Sequence, residues 1–149
     1  MSSTARWQGI LFLSSLDPYV KLALYCDGTR VGRGATRVKR RVTNPVFSEK
    51  FNFDLTSNQI AYTTLVIKIM NNVESAPTCL GATIIGYESS GDGQEHWLCM
   101  MECLSQHVDA WHALYDWLGC KMEMVSIILK LRVGCYGYWL RIYWEGMDP

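Results

Sequence analysis

The chain has 149 residues, about half of them apolar, and its 14 Lys and Arg balance its 14 Asp and Glu. That length suits one domain with extensions, and the composition excludes a disordered or fibrous chain. Its six cysteines, at 26, 79, 99, 103, 120 and 135, form no CxxC pair and no spacing typical of a zinc site or disulfide framework; they read as free thiols of a reducing compartment. The N-terminus lacks the pattern of a signal peptide. No window is apolar enough for a membrane span, because Lys130, Arg132 and Arg141 interrupt the best one, 122–144.

Strand signals dominate the first ninety residues. Val20, Leu22 and Leu24 alternate with Tyr19, Lys21 and Ala23, the pattern of a half-buried strand. Asp27-Gly28 marks a turn. Thr36, Val38 and Arg40 then alternate with Arg37, Lys39 and Arg41, which predicts a second strand with three cations on one face. Asn44-Pro45 is a break, and Phe47, Phe51, Phe53 and Leu55 fall on one side of the strand after it. A β-branched run over 64–70, a loop over 71–78 and another strand over 80–86 follow. The segment 94–104 has no Gly or Pro and carries Trp97, Met100, Met101 and Leu104 at helical spacing, so it predicts a short helix. Val108 to Tyr115 reads as the closing strand. Short strands at this spacing imply an antiparallel sandwich.

Charge is unevenly spread. Between Arg30 and Lys50 there are seven basic residues and one acid, Glu49. Such a patch on a neutral chain points to a polyanionic partner. No Ser–His–Asp order, catalytic carboxylate pair or phosphate-binding glycine loop is present in the sequence. His96, His107 and His112 read as structural residues, and Trp97, Trp111 and Phe51 as core residues rather than ligand stackers. Cys99 and Cys103, one helical turn apart, read as small apolar packing groups.

These residues resemble a known family. Asp17-Pro18-Tyr19-Val20-Lys21, the stretch Asn44-Pro45-Val46-Phe47-Ser48-Glu49-Lys50-Phe51-Asn52-Phe53, Leu80-Gly81, His96-Trp97 and Trp111-His112-Ala113-Leu114 occur in the order seen in synaptotagmins, most closely in their second C2 domain. The resemblance implies an all-β fold: an antiparallel C2-type β-sandwich of Greek-key topology, with a short helix before the last strand. It implies a non-enzymatic module of vesicle trafficking and exocytosis. Such a module is cytoplasmic and peripheral to a vesicle or plasma membrane. It binds anionic phospholipid and engages SNARE proteins such as syntaxin, or other C2 domains, but not nucleic acid.

Measured against that family, the chain departs in three places. Of the five acidic calcium-ligand positions only Asp17 remains, because Met70, Asn72 and Thr78 stand at the second-loop positions. Calcium, which wants six to eight oxygen ligands, is therefore not an expected cofactor, and Asp17 reads as a turn residue. The lysine cluster of the family reads Gly32-Arg33-Gly34-Ala35, so the expected phospholipid- or acidic-partner-binding set is Arg33, Arg37, Lys39, Arg40 and Arg41. Finally, 1–16 is too short for the family's first two strands, and the segment 116–149 matches nothing in the family. This divides the chain into an N-terminal segment 1–16, a C2 domain 17–115 and an atypical tail 116–149, as in a truncated or alternatively spliced product. Gly9 to Leu13 is expected to pair beside Tyr19 to Leu24, with the tail poorly packed; the tail filling the vacant edge is the other repair. For function, lipid docking through the basic strand stands beside two alternatives. One is a protein adaptor for acidic fusion proteins without lipid contact; the other is a non-functional truncated isoform.

Overall fold

The computed structural model describes residues 17–40, 49–73, 75–103, 105–116, 121–133 and 139–148. Eight strands run in chain order: β1 (Pro18–Cys26), β2 (Thr29–Ala35), β3 (Glu49–Asp54), β4 (Thr63–Asn71), β5 (Thr78–Gly86), β6 (Val108–Tyr115), β7 (Lys121–Val133) and β8 (Trp139–Asp148). Among the described residues two helices interrupt them, α1 (Ser57–Ile60) and α2 (Gly91–Glu102). The helix α1 opens on a capping box, in which Thr56 and Gln59 satisfy each other's backbone N–H groups. The strands join in the order β2-β1-β4-β5-β6-β7-β8-β3, and every pairing is antiparallel.

The order has a seam. Among the described residues the strands β5 and β6 share one ladder pair, Ala82 with Tyr115. On either side of that seam the sheet forms two four-stranded layers, β2-β1-β4-β5 and β6-β7-β8-β3, whose far edges meet again. A Cβ on Gly32 would lie 2.7 Å from a ring carbon of Phe53, and one on Gly34 would lie 2.8 Å from a ring carbon of Phe51. Strand β2 therefore lies directly under the aromatic side chains of β3. Between the layers sit Val20, Leu22 and Leu24 of β1, Leu65, Ile67 and Ile69 of β4, Ile85, Leu114, and Trp97 and Met100 of α2, all buried. Period-two alternation in β1 and β4 makes this face apolar and leaves the intervening residues outside.

Several expected elements are found at or near their places: β1 with its turn at Asp27-Gly28, β3, β4, β5, α2 and β6. Two expectations are corrected. The second strand is Thr29–Ala35, and residues 36–40 are irregular. Thr36 ends the ladder: its hydroxyl accepts from the Val20 N–H at 2.9 Å and donates to the Arg37 carbonyl at 3.1 Å. Two residue pairs further on, β1 begins at Pro18, which has no N–H to continue the pairing. The second correction concerns the chain's two ends. Strand β1 is flanked on both sides, by β2 and by β4, so no place remains for Gly9 to Leu13 beside Tyr19 to Leu24; Gly9 to Leu13 itself lies outside the described residues. The tail instead supplies β7, paired with β6 over Val108–Tyr115, and β8, paired with both β7 and β3. These two strands link β6 to β3 and complete the second layer.

Two outcomes follow from this architecture. Deleting residues 116–149 strips β3 of its strand partner and leaves β6 only its pairing with β5, and should abolish cooperative thermal unfolding or lower the midpoint by more than ~5 °C, on the order of 1 kcal/mol; an unchanged midpoint would count against β7 and β8. Replacing Gly34 by Ala should cost about 1–3 kcal/mol by overpacking against Phe51, measured by denaturant titration. The double variant Gly34→Ala, Phe51→Leu should recover part of that loss.

Candidate functional site

The outward face of the first layer is cationic. Lys21, Ala23 and Tyr25 alternate with the buried residues of β1 and point away from the core. Ladder register then sets their neighbours. Lys21 lies directly opposite Lys68 of β4, Ala23 opposite Arg33 of β2, and Tyr25 opposite Arg30. A groove of about 490 Å³ runs over this face, lined by the four cations Lys21, Arg30, Arg33 and Lys68 and, among the described residues, by no Asp or Glu. Like charges directly opposite on a sheet destabilise it. Their retention on one face, with no acid among them, makes that face a focus for anions.

Of the expected binding residues, Arg33 lies in this groove. Arg37 and Arg40 are exposed and Lys39 is half-buried in the irregular segment after β2, so they do not share a strand face. That segment is nevertheless held in place. The Lys39 N–H donates to the Pro18 carbonyl at 2.9 Å, and the Arg37 N–H donates to the Glu49 carboxylate at 2.9 Å. Arg41 lies outside the described residues. Sequence reasoning passed over Lys21, Arg30 and Lys68. Their outward phase was visible in the alternation, but the opposition of Lys21 and Lys68 depends on a register between residues 47 positions apart.

Asp17 closes the end of this layer through its backbone. Its N–H donates to the Asn71 side-chain oxygen at 3.2 Å, and its carbonyl accepts from the Asn72 N–H at 3.0 Å. Met70 is buried and lines the cationic groove. Among the described residues no three His, Cys, Asp or Glu side chains gather as a metal site.

A second constellation joins α2 to β6. His96 and His112 are both buried, 2 % and 1 % exposed, with Nδ1 of His96 2.7 Å from Nε2 of His112. The Nε2 of His96 lies 2.6 Å from the Val108 carbonyl. A carbonyl only accepts, so His96 carries its proton on Nε2 and accepts at Nδ1. His112 must then donate from Nε2. The two neutral rings form a relay from β6 through α2 back to β6. Burial pushes the His112 pKa down to about 4, assisted by His96, and burial also lowers that of His96. Period two explains a correction nearby. His112 and Leu114 face inward, so Trp111 faces out and is 48 % exposed rather than buried. Cys99 is exposed and Cys103 half-buried, which corrects their reading as core groups.

The fold and its charged face together define a β-sandwich of the C2 type. The C2 domain profile matches residues 7–100, and the chain belongs to the C2 domain family. Mouse (Mus musculus) Synaptotagmin-6 is 30 % identical over 101 residues, which are 67 % of this chain and 20 % of that protein. Human (Homo sapiens) Synaptotagmin-9 is 33 % identical over 101 residues, 67 % of this chain and 21 % of that protein. The chain thus spans about a fifth of the length of the curated relatives it matches. In fold it is similar to a C2 domain of plant Extended Synaptotagmin 1, with a TM-score of 0.54 and 15 % identity, covering 89 % of this chain and 80 % of that one. No helix among the described residues is long and apolar enough to cross a membrane.

The histidine pair generates a pH prediction. Above pH ~6.5, the ordinary histidine value, folded and unfolded chains both hold these rings neutral. Below it the unfolded chain takes up protons that the folded one refuses, so stability falls as pH falls from ~6.5 toward the folded value near 4. The slope expected from His112 is at most ~1.4 kcal/mol per pH unit. Urea midpoints at pH 7.5, 6.5 and 5.5 should be flat across the first interval and fall across the second; a flat second interval would contradict the buried neutral pair.

Proposed function

We propose that this chain is a calcium-independent C2 module of the kind found second in synaptotagmins, acting at the cytoplasmic surface of vesicle or plasma membranes. In this reading the sandwich docks on anionic phospholipid through the outward face of β2-β1-β4. The supporting observation is the opposed pair Lys21–Lys68 with Arg33 beside it, in a groove that no acid lines among the described residues. Arg37, Lys39 and Arg40 extend the positive surface past the end of β2. Each cation near an anionic membrane contributes about 1 kcal/mol. Four groove cations therefore give an affinity of roughly millimolar order, so residence on a membrane requires a second anchor, such as a sister domain or a protein partner. Calcium independence rests on Met70, Asn72 and Thr78, which supply no carboxylate where the family has acids.

Co-sedimentation with vesicles of phosphatidylcholine, with and without phosphatidylserine and a phosphoinositide, tests this directly. Binding should need the anionic lipid and weaken steeply with added salt, since surface charges are screened within ~8 Å at physiological ionic strength. The variant Lys21→Glu, Arg33→Glu, Lys68→Glu should abolish binding with its fold intact, and Arg37→Glu, Lys39→Glu, Arg40→Glu should weaken it less. A groove variant that still binds anionic vesicles, or binding indifferent to salt, would rule this surface out. Retained binding to acidic fusion proteins without any lipid binding would favour the adaptor reading.

Calorimetric titration should give no saturable heat at calcium concentrations up to ~1 mM, the weak end of modular calcium sites. Saturable heat at micromolar calcium would overturn the calcium-independent assignment.

A further inference from the structure

The seam between the two layers carries a second, oppositely charged cleft. Where β5 and β6 diverge from their one ladder pair, a cavity of about 650 Å³ opens between β5, β6 and the start of α2. Glu88, Asp92 and Asp116 line it, and among the described side chains no Lys or Arg does. The acids are held against a rigid frame. Gly93 is packed so closely on β5 that a Cβ there would run into the Ile84 carbonyl, and this fixes the first turn of α2, with Asp92, over the cleft.

Acids alone would make a solvated rim, and Asp92 also suits the first turn of a helix. Two further observations concern the wall. His112 is 1 % exposed and lines the cleft. Its Nε2 is spent as the donor to His96, so its Nδ1 is an acceptor, and among the described residues that nitrogen has no partner. Ser90, the N-cap residue of α2, makes no side-chain capping bond, although it lines the same cleft. The wall thus brings together the carboxylates of Glu88 and Asp92, the Ser90 hydroxyl and the His112 ring, and the exposed Ile84 and Tyr115 line the same cleft.

We propose that this cleft is a binding site for an arginine side chain presented by a partner protein. A guanidinium is planar, holds five donors and no acceptor, and pairs bidentately with carboxylates. Its aliphatic stem and flat face suit Ile84 and the ring of Tyr115. The site adjoins the cationic groove on the outward face of the first layer, with Ala82 of the cleft opposite Lys68 and Ile84 opposite Val66, but no residue lines both.

The test uses the full isotope-labelled chain and N-acetyl-arginine amide, with uncharged N-acetyl-citrulline amide as the shape control. Amide resonances of Glu88 to Gly93, Ala113 and Tyr115 should shift saturably with the arginine compound and not with citrulline. The variant Glu88→Gln, Asp92→Asn should weaken that binding by about tenfold or more, as expected for loss of charge-assisted bonds, with the rest of its spectrum unchanged. Equal shifts with citrulline, shifts elsewhere on the surface, or binding unaltered in the variant would overturn the proposal. Sedimentation at low salt supplies the remaining arm. A monomer is expected; concentration-dependent association abolished by the same two substitutions would assign the cleft to a second copy of this chain, and the partner proposal would fall. Vesicle binding by the variant should stay at the wild-type level, so this proposal and lipid docking fail independently.

Discussion

The close approach of two glycines to two phenylalanines is what makes this chain a sandwich. Gly32 and Gly34 alternate with Arg33 and Ala35 along β2, so the residues without side chains face inward and Arg33 faces out. The inward pair leaves room for Phe53 and Phe51 to lie on the backbone of β2. Strands β2 and β3 stand at opposite ends of the hydrogen-bonded order, and this contact brings the ends together, beside the bond from the Arg37 N–H to the Glu49 carboxylate. Seen against its family, the sequence Gly32-Arg33-Gly34-Ala35 looks like the loss of a basic cluster. In the fold it is also the means by which one layer seats on the other, a limit that packing sets on how many cations β2 can carry.

Closure also sorts charge. Once one face of β1 and β4 is committed to the core, period two sends Lys21 and Lys68 to the other face, and the antiparallel register sets them opposite each other. Two lysines so placed repel, and Arg30 and Arg33 add to the field. At the far side of the same layer the seam collects Glu88, Asp92 and Asp116. The formal net charge of zero therefore averages over two surfaces of opposite sign, which is why composition alone revealed neither.

What could be read from the sequence was what is local. Alternation in β1, β4 and β6 gave their extents closely, and the helical spacing of Trp97 and Met100 gave the buried side of α2. Local reading failed where a distant atom decides. Residues 36–40 alternate well enough for a strand, yet the Thr36 hydroxyl and the missing N–H of Pro18 end the ladder. Trp111 and His112 cannot both face inward on one strand, and the relay through His96 chooses His112. The tail was hardest, because 125–131 is an apolar run with almost no alternation, which periodicity cannot distinguish from a helix turn. Its role follows from a vacancy: β6 and β3 each lack a neighbour unless something lies between them.

That vacancy connects architecture to binding. The layer that β7 and β8 complete carries β6, and β6 carries His112, on which both the buried relay and the wall of the acidic cleft depend. The cationic groove belongs wholly to the other layer. Loss of order in the second layer would therefore strike the cleft first, through β6, and would reach the groove through the Phe51 and Phe53 contacts with β2. The two surfaces are mechanically unequal although they share one core. The cationic surface built on β1 and β4 sits on the best-buried strands, where local opening costs most. The cleft at the seam, held by one ladder pair between β5 and β6, sits where opening costs least, and a ligand bound there would tie the layers together.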